Sequence, residues 1–208
     1  MKVANVGINL VPSGGGIAHC VDLFTSAFHK LGYPYRVISF NGRGYSETDA
    51  DRLCRPEWRF VTVPPLPILD RYYWCPRALR DTSAVVEGVD LVLIHGMFFY
   101  PGVLAAKCAR KAGIPYVVVV HGSLDPWTFS YRSWRKKVWM WQAGQALLRG
   151  AHSVVFSTGA ERQKAHRWIK HRGQVVHWPV ARVPDYDKAA AVARIQQALA
   201  LPRSSRIA

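Results

Sequence analysis

The segments Leu91-Val92-Leu93-Ile94-His95-Gly96 and Tyr116-Val117-Val118-Val119-Val120-His121-Gly122 each run from an apolar strand straight into His-Gly. Two such strands, parallel in one sheet, bring both histidines to its carboxyl edge, where open α/β sheets bind ligands. A Gly14-Gly15-Gly16 turn follows the first strand-like stretch of the chain, residues 2 to 10, and completes the outline of a polar cleft.

Working outward, Ile17, Cys20, Val21, Phe24, Phe28 and Leu31 recur at helical spacing, and Gly32 stands where a C-terminal cap belongs. Tyr35 to Phe40 reads as a strand, and 41–55 as a polar surface loop around Gly42 and Gly44. Arg59 to Val63 reads as another strand, after which Pro64, Pro65 and Pro67 rule out regular structure. Helices are expected over about 76–87 and 101–112, the second ended by Gly113. Asp125-Pro126 has N-cap chemistry and opens a helix expected to reach about Arg149. A strand at 152–156, a capping box at Thr158-Gly159-Ala160-Glu161 with a helix to about Lys170, a short strand at 174–177 and a final Ala-rich helix complete the order. Strand and helix alternating in this way specify α/β architecture: a Rossmann-like, doubly wound, mainly parallel sheet with helices on both faces.

Composition bounds the rest. The 208 residues, 50% hydrophobic and 20% charged, can bury one substantial core. Cys20, Cys54, Cys75 and Cys108 are widely spaced without a Cys-x-x-Cys pair, so neither a disulfide framework nor a metal site is expected, and a reducing compartment fits. The N-terminal run is broken by Asn5, Gly7 and Asn9 and lacks a signal peptide's apolar core, and no stretch approaches the ~18 uncharged apolar residues of a membrane span. The expected location is cytoplasmic. Lys and Arg number 28 against 13 Asp and Glu, a net charge of +15 that favours polyanionic partners.

Gly14, Gly15 and Gly16 let backbone N–H groups approach a ligand, with the next helix offering its positive end to a phosphate. His19 stands where the dinucleotide fingerprint needs its third glycine, which disfavours NAD. His121, beside Gly122 and before an Asp-capped helix, is the first candidate for chemistry. His95, Gly122 and Asp125 are weaker candidates for substrate contact: the alternative for His95 is packing under the aromatic cluster at 97–100, and for Asp125 the helix cap alone. Along 126–149, Tyr131, Trp134, Val138, Trp141 and Leu148 form an apolar stripe expected to face the sheet. Arg132, Arg135 and Lys136 fall opposite, with Trp139 displayed among them, the pattern of a helix lying on a membrane surface. Nucleic acid could use the same mixture, but no recognised binding motif accompanies it.

The glycine turn, the His-Gly strand end, Ser123-Leu124-Asp125-Pro126-Trp127 and the basic aromatic helix together resemble the N-terminal half of family 4 (group 1) glycosyltransferases of the GT-B fold. The resemblance implies an acceptor-side domain over 1–184, with 185–208 a helix beginning an interdomain linker. It further implies transfer of a sugar from a nucleotide-diphosphate donor to a glycan or lipid-linked acceptor, with no separate cofactor. The glycine turn would lie near the donor phosphates and His121 near the donor sugar, at a membrane's inner face. Relatives carry the basic pair that grips the diphosphate, and a Glu-x7-Glu element, in a C-terminal donor-binding domain. Glu47, Glu57, Glu87 and Glu161 offer no such spacing, so no turnover is expected from this chain alone. A non-catalytic, basic, membrane-surface or acceptor-binding module is the alternative.

Overall fold

The computed structural model describes residues 1–42, 56–63, 72–73, 75–130, 133–169 and 173–178. Its strands are β1 (Val3–Ile8), β2 (Tyr35–Asn41), β3 (Trp58–Thr62), β4 (Leu91–His95), β5 (Tyr116–Val119), β6 (Ser153–Phe156) and β7 (Gly173–Val175). They form one sheet in the order β3-β2-β1-β4-β5-β6-β7 with every pairing parallel. The order reverses between β1 and β4, which creates a crevice beyond their carboxyl ends. The expected Rossmann-like architecture is the observed one.

Helices cover both faces, as parallel strands require. Tyr35 and Val37 join Leu10, Val21 and Trp58 in a small core under α1 (Gly16–Lys30). The alternate residues Ile38 and Phe40 face the larger core, which takes in α2 (Ala78–Val86) and α3 (Tyr100–Lys111). Both glycine stops act as expected. Gly32 and Gly113 have φ of 70°. The next residues close Schellman bonds, from Tyr33 N–H to the Phe28 carbonyl and from Ile114 N–H to the Ala109 carbonyl, each at 2.9 Å.

The helix expected over 126–149 is not continuous. Pro126–Phe129 forms a 3₁₀ turn, α4 covers Ser133–Trp139, a π turn spans Met140–Gly144, and α5 covers Gln145–Gly150. The π turn offsets α5 by about one residue, roughly 100° of rotation. From Trp134 to Trp141 the expected faces are exchanged, whereas Leu148 is buried as expected. Trp139 is buried, donating its indole N–H to the Met97 carbonyl at 3.1 Å and stacking on Tyr72. Trp134, Val138 and Trp141, expected against the sheet, are 64%, 41% and 79% exposed. A Cβ on Gly144 would lie 2.5 Å from Met140 Sδ, so the Met140 side chain packs directly against the bare glycine within the π turn.

The helix after the capping box is also split, into α6 (Gly159–Lys164) and α7 (His166–Ile169). The loop at 43–55, the prolines at 64–67, Tyr131, Arg132 and the expected helix at 185–208 lie outside the described residues. No helix among the described residues is long and apolar enough to cross a membrane.

Candidate active site

The site gathers at the carboxyl ends of β1, β4, β5 and β6. His121 is held by a tight turn beyond the strand: β5 ends at Val119, and Ser123 N–H donates to the Val120 carbonyl at 3.0 Å. The two central residues, His121 and Gly122, have φ of 46° and 75°. Positive φ at both is the type I′ signature, free for glycine and strained for histidine, and such strain collects at functional sites.

Glu161 secures the turn from below. Its Oε1 accepts from Gly122 N–H at 2.6 Å, and its Oε2 accepts from Ser157 N–H and Ser157 Oγ–H, both at 2.7 Å. Thr158 Oγ does cap Glu161 N–H at 3.1 Å. The carboxylate, however, does not return to Thr158 as a capping box would have it. It joins the end of β6 to the His121 turn. In the sequence, Glu161 stands out only as a capping residue.

His95 ends β4 and is 1% exposed, so it stands behind His121 rather than at the cleft surface where substrate contact was expected. Its Nδ1 lies 3.1 Å from His121 Nε2, and its Nε2 lies 3.1 Å from Asn5 Oδ1 on β1. Burial pushes the His95 imidazole well below its ordinary pKa, with His121 adding to the effect. Burial also lowers His121 to about 4, against a smaller opposing pull from Glu161. Both rings are neutral at pH 7.

Trp178 completes the surround. It stacks on His121 with centroids 4.8 Å apart and meets Phe24 of α1 edge-on at 6.0 Å. It thereby links α1 to the His121 turn. Neither Trp178 nor Asn5 stood out in the sequence; the one signal for Asn5 was a polar residue inside an apolar strand.

Gly14 closes a 3₁₀ turn over Pro12–Gly14, and Gly16 opens α1. Gly14 N–H donates to the Val11 carbonyl at 2.7 Å. A Cβ on Gly15 or Gly16 would meet nothing within 4 Å. The start of α1 has no side-chain cap and no acidic residue in its first turn. Backbone donors at such a start favour an anion.

Asp125 is the cap that the sequence implied, although what it caps is the 3₁₀ turn: Oδ1 accepts from Trp127 N–H and Oδ2 from Lys164 Nζ, both at 2.9 Å. Those bonds, Lys164's first, hold its carboxyl below the ordinary range. Each oxygen is thus engaged by one donor, and Asp125 ties the 3₁₀ turn to α6. Of the expected membrane-facing residues, Arg135 is half-buried with its guanidinium 5.2 Å from the Trp134 ring centre. Lys136 turns inward to the Thr128 carbonyl and the Phe98 ring. Trp139 is interior. Among the described residues no group of three His, Cys, Asp or Glu is arranged to hold a metal.

Residues 14–181 match the family described as Glycosyltransferase Family 4. No curated protein matches the chain by sequence. Among solved structures, HepE from Anabaena in complex with UDP-glucose aligns at TM-score 0.59 and 17% identity, over 96% of this chain and 50% of that one. A UDP-GlcNAc 2-epimerase from Methanocaldococcus jannaschii aligns at 0.57 and 14%, over 85% and 45%. The lipopolysaccharide outer core galactosyltransferase WaaB, in its apo form, aligns at 0.55 and 13%, over 88% and 47%. The chain thus spans about half the length of these proteins. At such identities the likeness establishes the fold.

Proposed function

The chain belongs to glycosyltransferase family 4, and from that premise we propose that its sheet edge is the acceptor-side wall of a cleft in which a sugar passes from a nucleotide-diphosphate donor to a glycan or lipid-linked acceptor. The observation that carries this reading is His121: a strained, neutral imidazole, fixed by Glu161 and Trp178 at the crevice beside the switch point. The bare start of α1 at Gly15 and Gly16 would face the donor diphosphate, where negative charge grows as the sugar departs. A second domain would supply the rest of the donor site. HepE, whose structure holds UDP-glucose, supports a nucleotide sugar as the ligand to test.

Titrating UDP-glucose into the ¹⁵N-labelled chain is expected to shift the amides of Gly15 and Gly16 and the His121 ring. Gly16→Ala adds a methyl into open space at a helix start, so stability should stay within about 0.5 kcal/mol. The same methyl should weaken the amide response about tenfold in apparent affinity, roughly 1.4 kcal/mol. Unchanged amides at millimolar UDP-glucose would remove the reading.

A second observation favours an anionic membrane surface as partner. Trp127, Trp134 and Trp141 are 81%, 64% and 79% exposed, beside Arg135 and exposed Lys137 on a chain of net charge +15. Exposed tryptophan with basic neighbours suits a headgroup layer. This face replaces the one expected from the sequence, because Trp139 is inside. Trp134→Ser with Trp141→Ser should lower partition onto vesicles containing phosphatidylglycerol by tenfold or about that. Arg135→Glu with Lys137→Glu should erase the preference over pure phosphatidylcholine, each charge contributing about 1 kcal/mol. Binding indifferent to both double variants would exclude this surface.

A further inference from the structure

The two histidines at the strand ends form a directed chain with Asn5, and its direction has a chemical consequence. Asn5 is paired in register with Leu93, and His95 lies two residues further along β4, so both side chains leave the same face of the sheet. Asn5 is fully buried and His95 is 1% exposed. A carbonyl oxygen only accepts, so Asn5 Oδ1, 3.1 Å away, requires the proton of His95 on Nε2. A neutral imidazole has one proton, which leaves His95 Nδ1 a lone pair. The ring nitrogen 3.1 Å from it, His121 Nε2, must then be the donor. His121 Nδ1 is left bare, and among the described residues it has no hydrogen-bond partner. Glu161, whose charge acts on this ring, is occupied by Gly122 and Ser157.

We propose that Asn5 and His95 are positioning residues that hold His121 in the Nε2–H tautomer, so that it meets its ligand as a hydrogen-bond acceptor and selects a proton-bearing group, a hydroxyl, over a phosphate oxygen. The proposal rests on His121 facing the sugar-transfer cleft. One further observation speaks for it. The Asn5 amide nitrogen is buried without a partner among the described residues, at a cost of about 1–3 kcal/mol, whereas its oxygen is bonded to His95. The labour is thereby divided: the turn and Glu161 place the His121 ring, Asn5 and His95 set its polarity, and the glycine turn is left to meet the diphosphate.

Two-bond ¹H–¹⁵N correlation of the histidine rings in the unliganded chain at pH 7.5 reads this directly. Both His95 and His121 are expected as single Nε2–H tautomers. An Nδ1–H ring at His121, which would mean that Asn5 turns its amide nitrogen to His95, or a rapidly averaging mixture, overturns the proposal. His95→Phe removes the acceptor and should release His121 into a mixture of tautomers; a folded variant that keeps pure Nε2–H shows that His95 positions nothing. If that variant does not fold, near-isosteric Asn5→Asp still accepts from His95 and should retain Nε2–H at His121, and a reversal there also overturns the proposal. With ligand, UDP-glucose should shift the bare Nδ1 resonance and pyrophosphate should not; a shift with pyrophosphate alone overturns the selectivity. The tautomer is measured without nucleotide, so a disordered relay with intact UDP-glucose binding removes this inference only, and an ordered relay without any UDP-glucose response removes the cleft reading.

Discussion

Gly14→Ala is expected to lower the unfolding free energy by roughly 3 kcal/mol or more, or to leave the chain unfolded, in urea melts at pH 7.5. A Cβ built on Gly14 would lie 1.7 Å from the carbonyl oxygen of Asn9 and 2.9 Å from its carbonyl carbon. Those are backbone atoms, and they cannot rotate away as a side-chain tip could. Asn9 is itself fixed in the left-handed region at φ 49°, with its side chain bonded to Tyr73 Oη and Gly42 N–H at 2.8 and 3.0 Å. Relief would have to come from moving the end of β1 or the start of α1, and each anchors a core. Gly16→Ala, two residues on and unobstructed, is the control. A Gly14→Ala midpoint equal to that of Gly16→Ala would mean that the turn is looser than its geometry implies.

Acid should weaken the fold through the histidine pair. Free histidine titrates near 6.5, while His121 in the fold binds its proton only at about 4 and burial holds His95 well below its ordinary range. Below 6.5 the unfolded chain therefore takes up protons that the folded chain refuses. Stability is full above about pH 6.5 and declines as pH falls toward 4, with a slope that approaches 1.4 kcal/mol per pH unit for each histidine. For His121 alone the loss by pH 4 is on the order of 3 kcal/mol. Asp125, held low by Lys164, loses its contribution only further down, as pH falls through the carboxylate range. Denaturant melts from pH 7.5 to 4.5 should show the slope, and His121→Asn should remove about one proton's share of it. A flat profile, or a slope indifferent to that substitution, would contradict the burial of neutral rings.

The strands that end in His-Gly were readable because long apolar runs bounded by turn residues announce themselves, and the glycine stops of α1 and α3 were readable because only a residue tolerant of positive φ ends a helix in that way. What joins those pieces was not readable. The His95–His121 contact depends on neighbouring parallel strands in one register, Ile94 opposite Val118 and His95 opposite Val119, and no local pattern encodes it. Glu161 serves the turn of a different strand, so its position in the sequence advertised only a cap. The tryptophans of α4 were assigned to the wrong faces for a physical reason. The 3₁₀ turn at Pro126–Phe129 and the π turn at Met140–Gly144 break the single α-helical phase on which that assignment depends.

The Glu161 carboxylate, shared between Gly122 and Ser157, has a thermodynamic meaning for any ligand. Loops that close on a substrate must surrender conformational freedom at the moment of binding, and affinity is reduced by that amount. Here one side chain has already frozen two strand ends into a single body during folding, including the unfavourable torsion at His121. The entropy was lost before any ligand arrives, and orientation at this sheet edge is a property of the resting domain.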